Sequence, residues 1–338
     1  MRPRIAIFGS GAIGCYVGGW LQDAGADVVF IGSARVLQRI QVDGLTLSDL
    51  RQRRLRLESP ALFYRLDPEA LSSADLILVC VKSGATRQAA EAISAFAPSS
   101  ALVISLQNGI GNAAAMAAAN PSMTVLGGMV PFNVAQLPGG GLHRATEGEI
   151  MVQASPHLAP WLPLFAAAGL PVNQRADFRE VQWGKLLLNL NNPVNALSGL
   201  PLKTQLGRRD YRRCLALLMR EALEVLRAAA ITPARVGKVK PEWLPGLLNL
   251  PDWAFRAVAG QMLRIDPQAR SSMWDDLQAG RLTEIDFLSG EVVALAASLG
   301  GDAPANRRIT ALMHQAENDA ARQPIDGARL WRLLGERP

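Results

Sequence analysis

Apolar and polar positions alternate in blocks along the first half of the chain. A short apolar run, Ile5 to Phe8, stops at Gly9-Ser10-Gly11-Ala12-Ile13-Gly14 and passes into a stretch of helical character reaching about Ala24; a second apolar run covers Asp27 to Ile31. Strand, tight glycine turn, helix and strand in this order predict the opening unit of a dinucleotide-binding sheet, and that context gives the glycine spacing its meaning. Gly9 permits the turn, Gly11 keeps the backbone bare where a pyrophosphate approaches, and Gly14 allows close packing of helix on strand. The helix N-terminus adds unpaired N–H groups and the positive end of its dipole. Gly9, Ser10, Gly11, Ala12, Ile13 and Gly14 are therefore the expected phosphate cradle.

The run Leu76 to Lys82 is continuously apolar up to its last residue, as expected of a strand covered on both faces, and Ala101 to Gly109 repeats the pattern; they close on Lys82 and on Gln107-Asn108. Polar tips at the carboxyl ends of parallel strands fall where open α/β sheets bind ligands. Short glycine-separated strands from Val125 to about Val152 predict an antiparallel hairpin around Gly139-Gly140-Gly141 that closes the first domain. His143 lies in it with no carboxylate nearby and reads as a surface residue.

Beyond about Phe178 leucine and alanine recur at helical spacing. Leu215, Leu218, Ala222, Val225 and Leu226 form one stripe, with arginine and glutamate elsewhere. A later helix has Thr283 as a capping candidate and ends at Gly300-Gly301. The segment from Lys240 to Phe255 reads as a loop or broken helix whose tryptophans serve packing. The predicted fold class is α/β: an N-terminal Rossmann-type doubly wound sheet over residues 1–176, then an all-helical domain over 177–338.

A chain of 338 residues is long enough for two cores. Hydrophobic residues at 49% and charged ones at 19% exclude a disordered chain. A net charge of +6 raises nucleic acid as a partner, but the basic cluster Arg51 to Arg56 has no interleaved aromatics and reads as a solvated strand. Cys15, Cys80 and Cys214 are odd in number and outside any CxxC spacing, which argues against a disulfide framework or zinc site. The basic, then apolar, N-terminus is interrupted by glycines, unlike a secretion signal, and no apolar run reaches membrane-spanning length. The expectation is a cytoplasmic protein with no metal, no nucleic acid and no membrane partner.

Two stretches carry the candidate chemistry. After the second strand comes Gly32-Ser33-Ala34-Arg35, with no carboxylate to bind an adenine ribose; Ser33 and Arg35 suit the 2′-phosphate of NADPH. The run "WGKLLLNLNN", Trp183 to Asn192, places Lys185 and Asn189 four apart, hence on one helix face. Such groups are costly to bury unless a ligand or neighbour pairs with them. Asn191-Asn192-Pro193 then breaks the helix and offers further amides, Asn192 among them. Ser272, Asp276 and Glu284 add a hydroxyl and carboxylates downstream. An ammonium, a carboxylate and several amides are what a bound keto acid requires.

Taken together, "GSGAIGCYVGG", Lys82, "LQNGIG", "WGKLLLN" and "SSMWDDLQAGRLTEIDFLSG" resemble the ketopantoate reductases (2-dehydropantoate 2-reductases) over nearly the full length. The resemblance implies a Rossmann domain joined to a helical domain, NADPH as cofactor, and reduction of a small 2-oxo acid, 2-dehydropantoate, to pantoate; a homodimer is compatible with it. It implies Lys185 as general acid, with Glu284 orienting lysine, substrate or cofactor ribose. Lys82, Asn108 and Asn133 would line the cofactor, Asn108 also touching substrate, and Asn189 and Ser272 would hold the keto acid. The sequence departs from the family pattern at Pro193, where asparagine is usual, around Pro201-Leu202, and after the second strand, where Ser33 takes the place nearest the usual arginine. Reduction of another branched 2-oxo acid, a β-hydroxyacid dehydrogenase and a non-catalytic NADP-binding redox sensor stay open. Against the dehydrogenase, "GGMVPFNV" stands where a "PVSGG"-type segment would be expected.

Overall fold

The computed structural model describes residues 3–137, 139–237, 239–260 and 268–335. The chain divides into two compact units, Met1–Phe178 and Arg179–Pro338.

The first unit is built on a sheet whose core strands are β1 (Arg4–Phe8), β2 (Asp27–Ile31), β5 (Tyr64–Arg65), β6 (Leu76–Val79), β7 (Leu102–Ser105) and β8 (Thr124–Met129), flanked by β11 (Ile150–Gln153) and β12 (Val172–Arg175). A further pair of hairpins supplies β3 (Leu45–Ser48), β4 (Arg54–Leu57), β9 (Val134–Leu137) and β10 (Gly141–Arg144). The helices are α1 (Ala12–Asp23), α2 (Ala34–Asp43), α3 (Thr86–Phe96), α4 (Asn112–Ala119) and α5 (Leu162–Ala167). Strand order among the described residues is β12-β11-β8-β7-β6-β1-β2-β5, parallel from β5 to β8, with β11 antiparallel to β8. This is the doubly wound Rossmann arrangement. Successive residues of each strand point to opposite faces, so two cores form: Ile5, Ile7, Phe30, Leu78 and Ile104 belong to one, Ala6, Ile31, Ile77, Val79 and Val103 to the other. All four residues of β6 and of β7 are buried, which is why those runs are so largely apolar.

The hairpin expected around Gly139 to Gly141 exists as β9 and β10, Pro138 lying outside the described residues. It does not close the main sheet. β10 pairs instead with β3, and β3 with β4, making a separate four-stranded sheet. The basic cluster falls on β4, an edge strand on which Arg54 and Arg56 are exposed. Charge there discourages pairing with another chain. His143 is half-buried and hydrogen-bonded through Nδ1 to Ser48 Oγ at 2.9 Å.

The second unit is helical: α6 (Phe178–Asn189, whose first residue ends the first unit), α7 (Asn191–Ser198), α8 (Leu202–Leu206), α9 (Arg209–Ala228), α10 (Leu244–Leu248), α11 (Asp252–Ala259), α12 (Ser272–Gln278), α13 (Ser289–Ser298), α14 (Pro304–Asn318) and α15 (Gly327–Gly335). The expected apolar stripe of α9 is buried, but so is Arg212. Its guanidinium donates to the carbonyls of Leu206, Leu248 and Leu250, meets Asp252 at 2.9 Å and lies over the Phe255 ring. A buried cation is tolerable there because every face of it has an acceptor. Thr283 caps a short 3-10 turn, Ile285–Phe287, rather than the helix, which starts at Ser289. Nor do the tryptophans all pack: Trp243 is 65% and Trp253 77% exposed.

Candidate active site

Parallel register brings one set of candidates to a single sheet edge. Phe8 is level with Ile31 and with Val79, Val79 with Ser105, and Ser105 with Gly127. The segments that follow these strands carry Ser33, the Gly9–Gly14 turn, Lys82, Asn108 and Asn133. Within the turn, Gly9 has φ of +106°, and a Cβ there would come within 2.3 Å of Val81 N, so glycine is required by the protein itself. Gly11 differs: φ is −72° and a Cβ would meet no heavy atom within 4 Å. Ala12 and Ile13 open α1, whose N-terminal N–H groups have no side-chain cap from Gly11. The turn thus fits a phosphate group, since it is bare where a ligand would come and presents unpaired donors.

Ser10 turns inward. Its hydroxyl is hydrogen-bonded to Tyr64 OH, which also donates to Ser33 O at 3.1 Å. A Cβ on Gly32 would collide with Ser10 Oγ at 1.9 Å. Glycine turn, end of β2 and β5 are thereby tied together, leaving Ser33 and Arg35 exposed at the start of α2. Tyr64 was not singled out by the sequence, because its partners are far away along the chain.

A second unforeseen network holds the tips of β6 and β7. Gln107 Nε2 donates to Thr86 Oγ1 at 2.8 Å, Thr86 Oγ1 to Asn112 Oδ1 at 2.7 Å, and Asn112 Nδ2 to Ser83 Oγ at 3.1 Å; Ser83 Oγ donates to Asn108 O at 2.8 Å. Ser83, Thr86, Gln107 and Asn112 are buried and satisfy one another, while Lys82 and Asn108 on the same loops are exposed. Asn133 is exposed; its N–H donates to Thr146 Oγ1 at 2.8 Å.

The helical unit carries the other set. Lys185 and Asn189 lie one turn apart on α6. Gly184 lets the chain at Ala234 lie against the helix, since a Cβ there would stand 2.1 Å from Ala234 O, and Ala234 N donates to Glu180 O at 2.8 Å. Lys185 has intermediate exposure as a residue, but the protein around its ammonium withdraws it from bulk water and lowers its pKa to about 8. Burial is the cause of that shift.

α6 ends at Asn189 and α7 begins at Asn191, with buried Pro193, which has no N–H to offer, in its first turn. Asn191 is taken by a reciprocal amide pair with buried Gln205, at 3.1 and 3.3 Å, and is structural. Asn192 is held at its carbonyl, which accepts from Ser271 Oγ at 3.2 Å, while Asn195 Oδ1 accepts the Ser271 N–H at 2.9 Å. These bonds fasten α12 to α7, so Ser272, exposed at the start of α12, is brought beside Asn192. Asp276 is buried and paired with Arg281 at 2.9 Å. Glu284 stands at the start of the 3-10 turn, half-buried. Among the described residues no group of three or more His, Cys, Asp or Glu could hold a metal, and no helix is long and apolar enough to cross a membrane.

A glycine turn on a parallel sheet edge, with a separate helical unit carrying a desolvated lysine and amides, defines the class: an oxidoreductase built on a dinucleotide-binding fold. The comparisons narrow it. The family model "Ketopantoate reductase PanE/ApbA" matches residues 5–157, and its C-terminal counterpart matches 177–317. A PanE/ApbA family ketopantoate reductase from Ralstonia eutropha JMP134 has 32% identity and a TM-score of 0.77 over 93% of this chain and 98% of its own. A 2-dehydropantoate 2-reductase of Halobacterium salinarum is 27% identical over 94% of this chain and 99% of its own. A D-mandelate dehydrogenase, solved with NADH and anilino(oxo)acetate, shares the fold with a TM-score of 0.76 at 19% identity. The chain belongs to the ketopantoate reductase family.

Proposed function

We propose that the protein is an NADPH-dependent 2-oxo acid reductase that converts 2-dehydropantoate to pantoate, with Lys185 as general acid. The observation that carries this reading is the state of Lys185: an ammonium that burial withdraws from water, its pKa lowered to about 8, one helical turn from Asn189. Such a group is completed by an anionic or carbonyl ligand.

Residues 1–176 would serve the dinucleotide and 177–338 the substrate. Gly9 to Gly14 would receive the pyrophosphate, Lys82, Asn108 and Asn133 would line the cofactor, and Ser33 and Arg35 would favour a 2′-phosphate over a bare ribose. Reduced nicotinamide, when bound, supplies a hydride to the substrate's carbonyl carbon. Lys185 first draws the carbonyl oxygen by its charge and then donates an Nζ proton to the developing alkoxide. A pKa near 8 suits that transfer, because the lysine is charged at neutral pH yet gives up its proton more readily than a solvated one. Asn189, Asn192 and Asn108 donate amide hydrogens, and Ser272 its hydroxyl, to the substrate's carboxylate and hydroxyl. Glu284 accepts a hydrogen bond from the substrate hydroxyl or the cofactor ribose. The free thiols of Cys15, Cys80 and Cys214 suit a reducing, cytoplasmic setting.

The test is oxidation of NADPH and of NADH by purified protein offered ketopantoate, other branched 2-oxo acids and an aromatic one. The expected result is turnover on ketopantoate with NADPH preferred. Turnover confined to another acid would overturn the substrate; binding of NADPH with no turnover on any would favour a sensor.

A further inference from the structure

The turn that carries Glu284 is fastened by two side chains of α14. Glu317 Oε1 accepts the Thr283 N–H at 2.8 Å, and Glu317 Oε2 lies 2.9 Å from His314 Nδ1. The other ring nitrogen, His314 Nε2, lies 3.0 Å from Asp286 Oδ1. The turn is thus held at the backbone one residue before Glu284 and through a side chain two residues after it. Nothing in the reaction proposed above uses His314, Glu317 or Asp286.

Both groups facing the imidazole are carboxylate oxygens, which accept hydrogen bonds. A neutral imidazole has one N–H and one lone pair and can serve only one of them; an imidazolium donates to both. The geometry is that of a charged His314. The hydrogen bond to Glu317, and after it that to Asp286, outweighs partial burial and raises the His314 pKa above its ordinary 6.5. Burial would raise the Glu317 carboxyl, but hydrogen bonds from Thr283 and His314 outweigh it and hold the pKa below the usual value. Other charged groups on or against α14 are engaged elsewhere: Glu221 of α9 accepts the Ala305 and Asn306 N–H groups, Arg307 pairs with Asp302, and Arg308 donates to Leu334 O.

We propose that His314 and Glu317 are positioning residues: the imidazolium bridge from Glu317 to Asp286, with the Glu317–Thr283 bond, fixes the Thr283–Phe287 turn so that Glu284 is presented in one orientation for the reaction. The proposal rests on the reading that Glu284 serves the reaction. The bridge is complete only while His314 is protonated, so it loosens as pH rises through the imidazole's raised pKa.

The test uses full-length protein and measures kcat, KM and thermal stability for His314→Gln and Glu317→Gln, each with and without Glu284→Ala. Glutamine at 314 cannot donate to both carboxylates in the imidazolium's geometry. His314→Gln is expected to lower kcat roughly tenfold and to have no further effect in the Glu284→Ala background. In the wild type a falling limb of kcat is expected above pH 6.5, and it should be missing in His314→Gln while a later limb from Lys185 remains. Full turnover in Glu284→Ala would refute the underlying assignment of Glu284. Impaired Glu284→Ala, with His314→Gln costing the same factor in both backgrounds or leaving the early pH limb in place, would refute the positioning role.

Discussion

Gly11 and Gly9 look alike in the sequence and differ in the structure. At Gly9 the backbone φ and the contact with Val81 both demand glycine; at Gly11 neither does. A glycine that its own protein does not need is explained by what binds beside it. Gly11→Ala should therefore fold as well as the wild type or gain about 0.4–1 kcal/mol by restricting the unfolded chain. Its affinity for NADPH, measured by fluorescence titration, should fall by about tenfold or more, equivalent to about 1.4 kcal/mol of lost binding; unchanged affinity would remove the pyrophosphate from this turn. The glycine spacing was legible because its meaning is local. The inward turn of Ser10 was not, because it depends on Tyr64, which reaches it through sheet pairing rather than sequence proximity.

At the scale of elements, α6 is defined as much by what it lacks as by what it carries. Gly184 has no Cβ where Ala234 O approaches, and this contact braces the turn that presents Lys185. Gly184→Ala would force the 231–236 chain off the helix. A loss of about 1–3 kcal/mol is expected in urea unfolding, as for other overpacking changes, with kcat falling more than KM rises because the lysine is displaced. Wild-type stability and kcat would show that the brace is not tight. That Lys185 and Asn189 share one face of a helix could be read from spacing alone, but the helix break could not: it falls at Leu190, and Asn191, Asn192 and Pro193, expected to break the helix, form the first turn of α7. The start of α13 could not, because Thr283 is a good cap in sequence and the 3-10 turn that takes it is held by Glu317 from a helix 34 residues on. Asn191 is a similar case: its amide is matched by Gln205, so a run of asparagines that read as a ligand set is partly a structural joint.

Across the whole molecule, the main sheet and the change to helix were legible because their periodicities differ and each runs for many residues. The second sheet was not. Its β3–β10 pairing joins residues about 95 positions apart, and strands of four residues leave little pattern. Nor was the burial of Arg212 legible: it lies in the interior of the helical unit, where the carbonyls of Leu206, Leu248 and Leu250 accept its hydrogen bonds. What these long-range arrangements support is one chemical claim, that Lys185 gives the proton. The direct measurement is kcat for ketopantoate reduction against pH, in the wild type and in Lys185→Ala. Burial lowers the lysine's pKa, so the proton-bearing form predominates below about pH 8 and is lost above it. The wild-type rate should fall as pH rises through about 8, the reverse oxidation of pantoate should rise through the same value, and Lys185→Ala should lose roughly a hundredfold or more in kcat and show neither limb. A variant that keeps the wild-type rate and the limb near pH 8 would contradict the account.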